Sequence, residues 1–520
     1  MNPFSGQGLH PVPQPPPRVA LPPTVAELVR SKGQMSVAEL FYENIEMRSS
    51  ISDSFRTSVR NASNRIFGLD TANKITSFLE RNASISTASH HGPSFHWSEL
   101  HSTLLLADAA SQKGLDYLPT FTFASVPLNN VTYPRGFDYK GVKIPLFSDA
   151  DKHRAVFGTP PVSEESLRIS LEHMKNVDIF QYLSAWSRNI PDAGQLFIEK
   201  MRSQINAKSH VSYISFCNRL VDALPVEESK KIIAMAFING EAPPPRPFSQ
   251  EPAASFSQFP ARAPTVLSYC DQISIFNSEI YTTLCRAAGI AVCVVPLAVE
   301  TIIADTLIQE LEHGCPYLTD QLFGRSKHDG SLDTLAHSIG SQSYGTYLFW
   351  GLGPKGEMEK LTRIGNEMVG ATCRVALEPD AILAALANET ILPAMALSFA
   401  CMIFHGVDAL GGFSQIEYLP RFKRALKNAL GNHWNPGIGS HTSRLIDGPV
   451  VLTERSFDGY KPLSFSTLAR VPSIGLEFFV PTSRALRLAD SIALGYSWMH
   501  NDKSFFDSVA ARQPISINPV

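Results

Sequence analysis

Apolar residues recur at helical spacing over much of this chain. Leu40, Phe41 and Ile45 fall on one face of a helix, and residues 24–27 (TVAE) and 36–39 (SVAE) have the form of a capping box. Helices are therefore predicted over residues 52–66, 70–82, 97–112, 164–176, 178–188, 192–206, 210–223, 227–237, 266–288, 297–313, 354–369, 380–387, 391–405, 417–430 and 483–500.

Strand-like alternation is confined to shorter stretches. Residues 119–147 contain β-branched and aromatic residues broken by turn formers, which predicts strands and a hairpin. Further strands are predicted at 290–295, 347–350, 449–457 and 475–483. The predicted fold class is mainly α with minor β segments (α+β), in which a helical, shell-like domain contains an inserted smaller segment.

Proline marks the divisions of the chain. Residues 1–23 form a Pro-rich arm, because proline removes backbone donors and favours an extended conformation. Residues 240–264 contain seven prolines and are predicted to be a linker or surface excursion. Between them lies a helical N-terminal half, 24–239, with its β segment near 119–147. A C-terminal half, 265–520, is helical and then mixed α/β.

Composition and charge narrow the class of protein. Only 18% of the 520 residues are charged, against a typical level of about 25%, so we expect much of the surface to be buried against other subunits. The net charge of −3 provides no basic field for tight nucleic-acid binding. The seven cysteines include no C-x-x-C pair, which indicates reduced thiols in an intracellular setting rather than a zinc ribbon.

The sequence predicts neither export nor a membrane span. The N-terminus lacks the charged and apolar regions of a signal peptide. The longest apolar run, near residues 391–404, is too short to cross a bilayer and is predicted to be a buried helix. We therefore expect no membrane partner.

One glycine motif deserves comparison with dinucleotide-binding turns. Gly351, Gly353 and Gly356 follow a predicted strand in the spacing G-x-G-x-x-G, and Glu378 lies about 20 residues further on, where such sites hold a ribose. Against this, Glu357 and Glu359 lie in the first turn of the predicted helix. Their negative charges would repel a phosphate bound there. A structural strand-to-helix turn is favoured, and no cofactor is expected; nucleotide binding remains the alternative.

Other candidate chemistry is sparse. Residues 89–101 contain His90, His91, His96, Glu99 and His101, but their spacing does not put a pair of zinc ligands on one helical face, so no metal is expected. Serine nucleophile motifs are incomplete at 341–345, which precedes a strand, and at 439–441, which has no visible partner. No catalytic residue is predicted, and the chain is not expected to be an enzyme.

The predicted helix at 417–430 has one basic face. Arg421, Lys423, Arg424 and Lys427 lie opposite an apolar face that includes Phe422. Either this is an ordinary solvated helix, or the four basic residues face nucleic-acid phosphates.

The overall layout resembles coat proteins of small double-stranded RNA viruses, of the partitivirus and picobirnavirus kind. The resemblance covers the arm at 1–23, the two helical halves and the Pro-rich stretch at 240–264. It implies a viral capsid subunit that assembles with itself, contacts genomic RNA weakly and non-specifically, and is found in the virion and host cytoplasm. Two alternatives remain: a nucleotide-binding α/β enzyme, or a nucleoprotein holding single-stranded RNA between lobes 24–240 and 265–430.

Overall fold

The computed structural model describes both halves of the chain in part. The described residues are 21, 23–45, 51–92, 97–128, 136–139, 142–145, 154–159, 168–169, 211–212, 268–313, 348–354, 356–412, 415–430, 444–445, 452–456, 459–462, 480 and 483–501. Helices account for 56% of the interpretable part, and the strands form small sheets, which confirms a mixed α+β fold. The predicted arm and Pro-rich linker lie almost wholly outside the described residues.

The described helices include several that the sequence predicts. They are α1 (Pro23–Lys32), α2 (Val37–Ile45), α3 (Asp53–Phe67), α4 (Leu69–Arg81), α5 (Trp97–Gln112), α6 (Tyr269–Ala287), α7 (Val299–His313), α8 (Pro379–Ala387), α9 (Met395–Phe404), α10 (Gln415–Leu430) and α11 (Leu488–Asn501). The Ser36 capping box forms, since the Ser36 hydroxyl accepts from the Glu39 amide and the Glu39 carboxylate accepts from the Ser36 amide.

The strands are short and numerous. They are β1 (Ser84–Ser86), β2 (Tyr117–Thr122), β3 (Gly136–Tyr139), β4 (Val142–Pro145), β5 (Arg168–Ile169), β6 (Val211–Ser212), β7 (Cys293–Ala298), β8 (Phe349–Leu352), β9 (Met358–Lys360), β10 (Thr362–Ile364), β11 (Glu367–Val369), β12 (Arg374–Ala376), β13 (Ile391–Pro393), β14 (Asp408–Gly411), β15 (Arg444–Leu445), β16 (Thr453–Ser456) and β17 (Gly459–Pro462). The hairpin predicted within 119–147 is present as the antiparallel pair β3–β4.

A five-stranded parallel sheet forms the centre of the described structure. Its strand order is β15-β14-β1-β2-β7, and every pairing in it is parallel. Numbered by chain position within this sheet, the order is 5-4-1-2-3, which is the order of doubly wound α/β sheets, with its switch point between β1 and β14. Strands from both predicted halves of the chain thus join one sheet.

Helices flank this sheet and bury its strands. Helix α6 packs on β7 and against α5, whereas α9 packs on β14 and against α10. The right-handed rule for parallel crossovers predicts α5 and α6 on one face of the sheet and α10 on the other. Every residue of β2, β7 and β14 is buried, as expected for parallel strands covered on both faces.

Three helix predictions are wrong where the structure describes them. The segment predicted as a helix over 354–369 contains β9, β10 and β11, which continue from β8 as antiparallel strands. Its apolar spacing fitted a helix, but Ile364 is exposed while Leu361 and Met368 are buried. Within the helices predicted at 164–176 and 210–223, the described residues instead form the antiparallel pair β5–β6; the rest of those helices lies outside the described residues.

The apolar run at 391–404 is buried, as predicted, although it begins as strand β13 before α9. No helix among the described residues is long and apolar enough to cross a membrane. The described cysteines are free thiols: Cys270, Cys285, Cys293 and Cys401 are buried and Cys373 is partly exposed, in agreement with the sequence.

Candidate functional site

The carboxyl edge of the parallel sheet is where doubly wound proteins bind their ligands, in the crevice at the switch point. Here that crevice lies beyond the ends of β1 and β14. The residues that follow these strands, Thr87 and Gly412, are both buried. The sequence did not predict this site, because the strands that form it are distant along the chain.

Gln415, the first residue of α10, fills the crevice. Its side-chain oxygen accepts hydrogen bonds from the Thr87 hydroxyl at 2.8 Å and from the Gly412 amide at 3.2 Å. Its side-chain nitrogen donates to the Thr87 carbonyl at 2.6 Å. The Gly412 amide, which a phosphate would need at this position, is therefore already bonded within the chain.

Glu300 closes the loop after β2 in a similar way. This fully buried carboxylate, in the first turn of α7, accepts from the backbone amides of Ala124 at 2.8 Å and Ser125 at 2.7 Å. Burial raises the pKa of Glu300, and the hydrogen bonds partly offset that rise because they favour the ionised form. The side chain ties the end of β2 to the end of β7.

His91 closes the loop after β1. Its Nε2 lies 2.7 Å from the Cys270 carbonyl and its Nδ1 lies 2.5 Å from the Thr122 hydroxyl. A carbonyl only accepts, so Nε2 holds the proton, and in the neutral ring Nδ1 accepts from Thr122. Burial lowers the pKa of His91 to about 4, while the Cys270 carbonyl and the Asp271 charge partly oppose this shift.

We call His91, Glu300 and Gln415 the sealing cluster. Each is buried, each bonds atoms of a different part of the fold, and together they link the loops after β1, β2 and β14 to α6, α7 and α10. Their polar atoms are directed at the protein's own backbone and hydroxyl groups. The edge that binds ligands in other doubly wound proteins is thus closed by intramolecular bonds.

The glycine motif at 351–356 lies elsewhere, in the turn of the β8–β9 hairpin. The Gly353 amide donates to the Glu357 carbonyl at 2.8 Å, and the Gly356 amide donates to the Gly353 carbonyl at 2.9 Å. A dinucleotide fingerprint needs a helix N-terminus after the turn, whereas here a second strand follows. The strand-to-helix turn predicted from the sequence is therefore wrong, and so is the premise of the nucleotide alternative.

Packing explains the glycines instead. Gly356 has φ +76°, and a Cβ there would lie 2.0 Å from the Gly158 carbonyl oxygen, so only glycine fits. A Cβ on Gly351 would lie 2.9 Å from Glu359. Glu359 itself accepts from the Thr372 amide at 2.8 Å and stabilises the turn before β12. Glu378 is the N-cap residue of α8, with no side-chain capping bond.

The basic helix is present as α10, and its basic residues divide into two kinds. Arg424 and Lys427 are exposed, whereas Lys423 is partly buried. Partial burial lowers the pKa of Lys423, and the Asp408 carboxylate partly offsets that change. The side chain of Arg421 is outside the described residues. Of the four candidates, Arg424 and Lys427 are the two whose exposure the structure shows.

The histidine-rich segment 89–101 does not assemble a metal site where it is described. His101 is buried and its Nδ1 accepts from the Leu452 amide at 3.3 Å, while His91 belongs to the sealing cluster. Across the described part of the chain, no three His, Cys, Asp or Glu side chains are grouped to hold a metal ion. His96, the side chain of Glu99, and the serine motifs at 341–345 and 439–441 lie outside the described residues.

Compared with known proteins, the sequence matches no protein-family model and no curated protein.

Proposed function

We propose that this chain is a self-assembling structural protein, a capsid subunit of an RNA-enclosing viral shell. The observation behind the proposal is the low charged fraction, 18% of a chain of 520 residues. A soluble chain of this size needs a hydrated exterior, and a surface poor in charge is more stable when neighbouring subunits cover it. The sealing cluster supports the same conclusion, since it closes the edge at which an α/β enzyme would bind its substrate.

A surface suited to assembly is present on the small sheet β10-β11-β12. Strand β10 lies at its edge, all three of its residues are exposed, and Ile364 is 62% exposed. An exposed strand edge pairs readily with another chain, and an exposed isoleucine adds apolar area to such a contact. In the proposed shell, β10 contacts a second copy of this chain.

RNA contact is assigned to the exposed pair Arg424 and Lys427. Two phosphate contacts per chain correspond to a slope of roughly −1.5 in log affinity against log salt, which is weak for one subunit. Many copies facing one genome strengthen it through multivalency. This agrees with the net charge of −3, which provides no strong general attraction to RNA.

The assembly state tests the proposal. Purified full-length protein is examined by analytical ultracentrifugation and negative-stain electron microscopy, and closed particles of very high mass are expected. A species that stays monomeric or dimeric across protein and salt concentrations overturns the capsid proposal.

A second measurement separates assembly from RNA contact. The double variant Arg424→Ala/Lys427→Ala should assemble like the wild type but hold less RNA, with a shallower salt dependence. RNA content unaffected by this variant would remove α10 from the proposed RNA-facing surface.

A further inference from the structure

Three polar side chains from distant parts of the chain meet at the opposite, amino edge of the sheet. Ser52 precedes α3, Glu310 lies on α7, and His405 ends α9 just before β14. The Ser52 hydroxyl lies 2.8 Å from Nδ1 of His405, and Nε2 of His405 lies 3.1 Å from Oε1 of Glu310. Serine, imidazole and carboxylate therefore stand in series.

The protonation of this series suits a general base. In the tautomer of neutral His405 that carries its proton on Nε2, towards Glu310, the lone pair on Nδ1 faces the Ser52 hydroxyl. The Nε2–Oε1 contact has an ion-pair distance without the alignment of a hydrogen bond. Such contacts in catalytic sites are often loose until substrate binds.

The surroundings hold the imidazole ring in place. Phe55 stacks on it with ring centroids 5.8 Å apart, and Phe404 meets it edge-on at 5.2 Å. The Ser52 amide donates to the His405 carbonyl at 3.0 Å, so the backbone also fixes the spacing between serine and histidine. His405 and Glu310 are each 3% exposed, whereas Ser52 is partly exposed, which places the hydroxyl in front of a buried base and acid.

One oxygen of Glu310 lowers the stability of the fold, which a purely structural role of this cluster does not explain. Oε2 of Glu310 is buried and has no hydrogen-bond partner among the described residues. An unsatisfied buried carboxylate oxygen costs about 1–3 kcal/mol or more, and such groups occur where a site has a chemical use. Ser52 is the N-cap of α3, and its hydroxyl accepts from the Phe55 amide at 3.3 Å. The remaining first-turn amides have no intrahelical acceptor, so they are the donors for a developing oxyanion.

We propose that Ser52, His405 and Glu310 form an acyl-transfer site for carboxylic esters, in addition to the structural function proposed above. The Ser52 oxygen bonds to the ester carbonyl carbon, its proton passes to Nδ1 of His405, and the carbonyl electron pair moves to oxygen. The intermediate then collapses, the bond to the alcohol oxygen breaks, and that oxygen takes the proton from His405. Water hydrolyses the acyl-serine by the same proton transfers, and Glu310 stabilises the imidazolium throughout.

The test uses the full-length protein and a fluorophosphonate probe, which modifies activated serines. Mass spectrometry of peptides should show modification of Ser52 at least about 100-fold faster than of Ser31, which is exposed on α1, or of Ser54. The protein should also hydrolyse p-nitrophenyl acetate. Ser31→Ala, a control at an exposed serine on α1, should behave as the wild type, whereas Ser52→Ala should lose both reactions.

His405→Gln should slow labelling of Ser52 by at least about 100-fold while circular dichroism stays that of a folded protein. If that variant does not fold, the pH dependence of labelling is measured on the wild type alone. The rate at which Ser52 is labelled should then follow the titration of a single base. A wild-type Ser52 that remains unmodified, or reacts no faster than Ser31, overturns the proposal. Assembly is measured separately, so failure here leaves the capsid proposal standing.

Discussion

The buried His91 makes the stability of this protein depend on pH in a calculable way. Burial lowers its pKa from 6.5 to about 4 in the folded chain. Between these values the unfolded chain binds a proton that the folded chain does not, so stability falls as pH decreases from about 6.5 towards 4. Below about 4 both states are protonated, and this contribution stops changing.

The magnitude follows from the same two values. At pH 5 an unfolded pKa of 6.5 against a folded pKa of about 4 corresponds to about 2 kcal/mol of lost stability, and the loss approaches about 3 kcal/mol at pH 4. The Thr122 hydroxyl also lies 3.2 Å from the Leu297 carbonyl, so it has another acceptor if Nδ1 becomes protonated. Desolvation of the imidazolium is therefore the main cost.

The assay is urea denaturation of wild type and His91→Gln between pH 7.5 and 4.5. The two proteins should differ in the pH dependence of their unfolding free energy by about 2 kcal/mol at pH 5. Asn277→Ala is the matched control: it loses a buried hydrogen bond of 2.8 Å to the neighbouring Gly92 carbonyl without removing a titratable group. It should lower stability equally at every pH. If His91→Gln retains the full acid loss of the wild type, the reasoning is refuted.

Three further predictions concern single side chains. Gln415→Ala breaks three hydrogen bonds in the sealing cluster and should lower the free energy of unfolding by about 3 kcal/mol, whereas Gln309→Ala, on the partly exposed surface of α7, should cost under about 1 kcal/mol in the same urea titration. Gly356→Ala should lower the thermal midpoint more than Gly365→Ala, because both have positive φ but only Gly356 has a backbone atom in the way; equal midpoints would contradict the packing argument. Ile364→Asp should leave unfolding within about 0.5 kcal/mol of wild type yet reduce particle yield in ultracentrifugation, and undiminished particles would exclude β10 from the subunit contact.

Local signals predicted several of the described helices and did not predict the sheet. Helix α5 spans the predicted residues 97–112, and α3 begins after its serine cap, because both depend on residues adjacent in sequence. Strand β1 has only three residues, and it is defined by its pairing with β14, which lies far along the chain. The helix prediction for 354–369 is wrong because its apolar residues match helical spacing, and its glycines were interpreted as a strand-to-helix turn when they form the turn of a hairpin.

The sequence did not predict the sealing cluster or the Ser52–His405 contact, because their residues are far apart along the chain. The sealing cluster includes a bond between residues 328 apart, from Thr87 to Gln415, and the Ser52–His405 contact joins residues 353 apart. No short motif surrounds either pair. The basic helix was visible because its periodicity is local, but the partial burial of Lys423 beside Asp408 became apparent only from the fold.

The order of strands also determines when, during synthesis of the chain, the sheet can be completed. Strands β1 and β2 leave the ribosome early, yet β1 needs β14 as its other neighbour, and Thr87 bonds to the Leu410 carbonyl 323 residues later. Until then one side of β1 is an open edge, and pairings this distant form slowly. Completion of the sheet therefore waits until most of the polypeptide exists, so a truncated chain lacks β14 and cannot form the native centre of the fold. In the proposed particle, this arrangement excludes incomplete subunits before assembly begins.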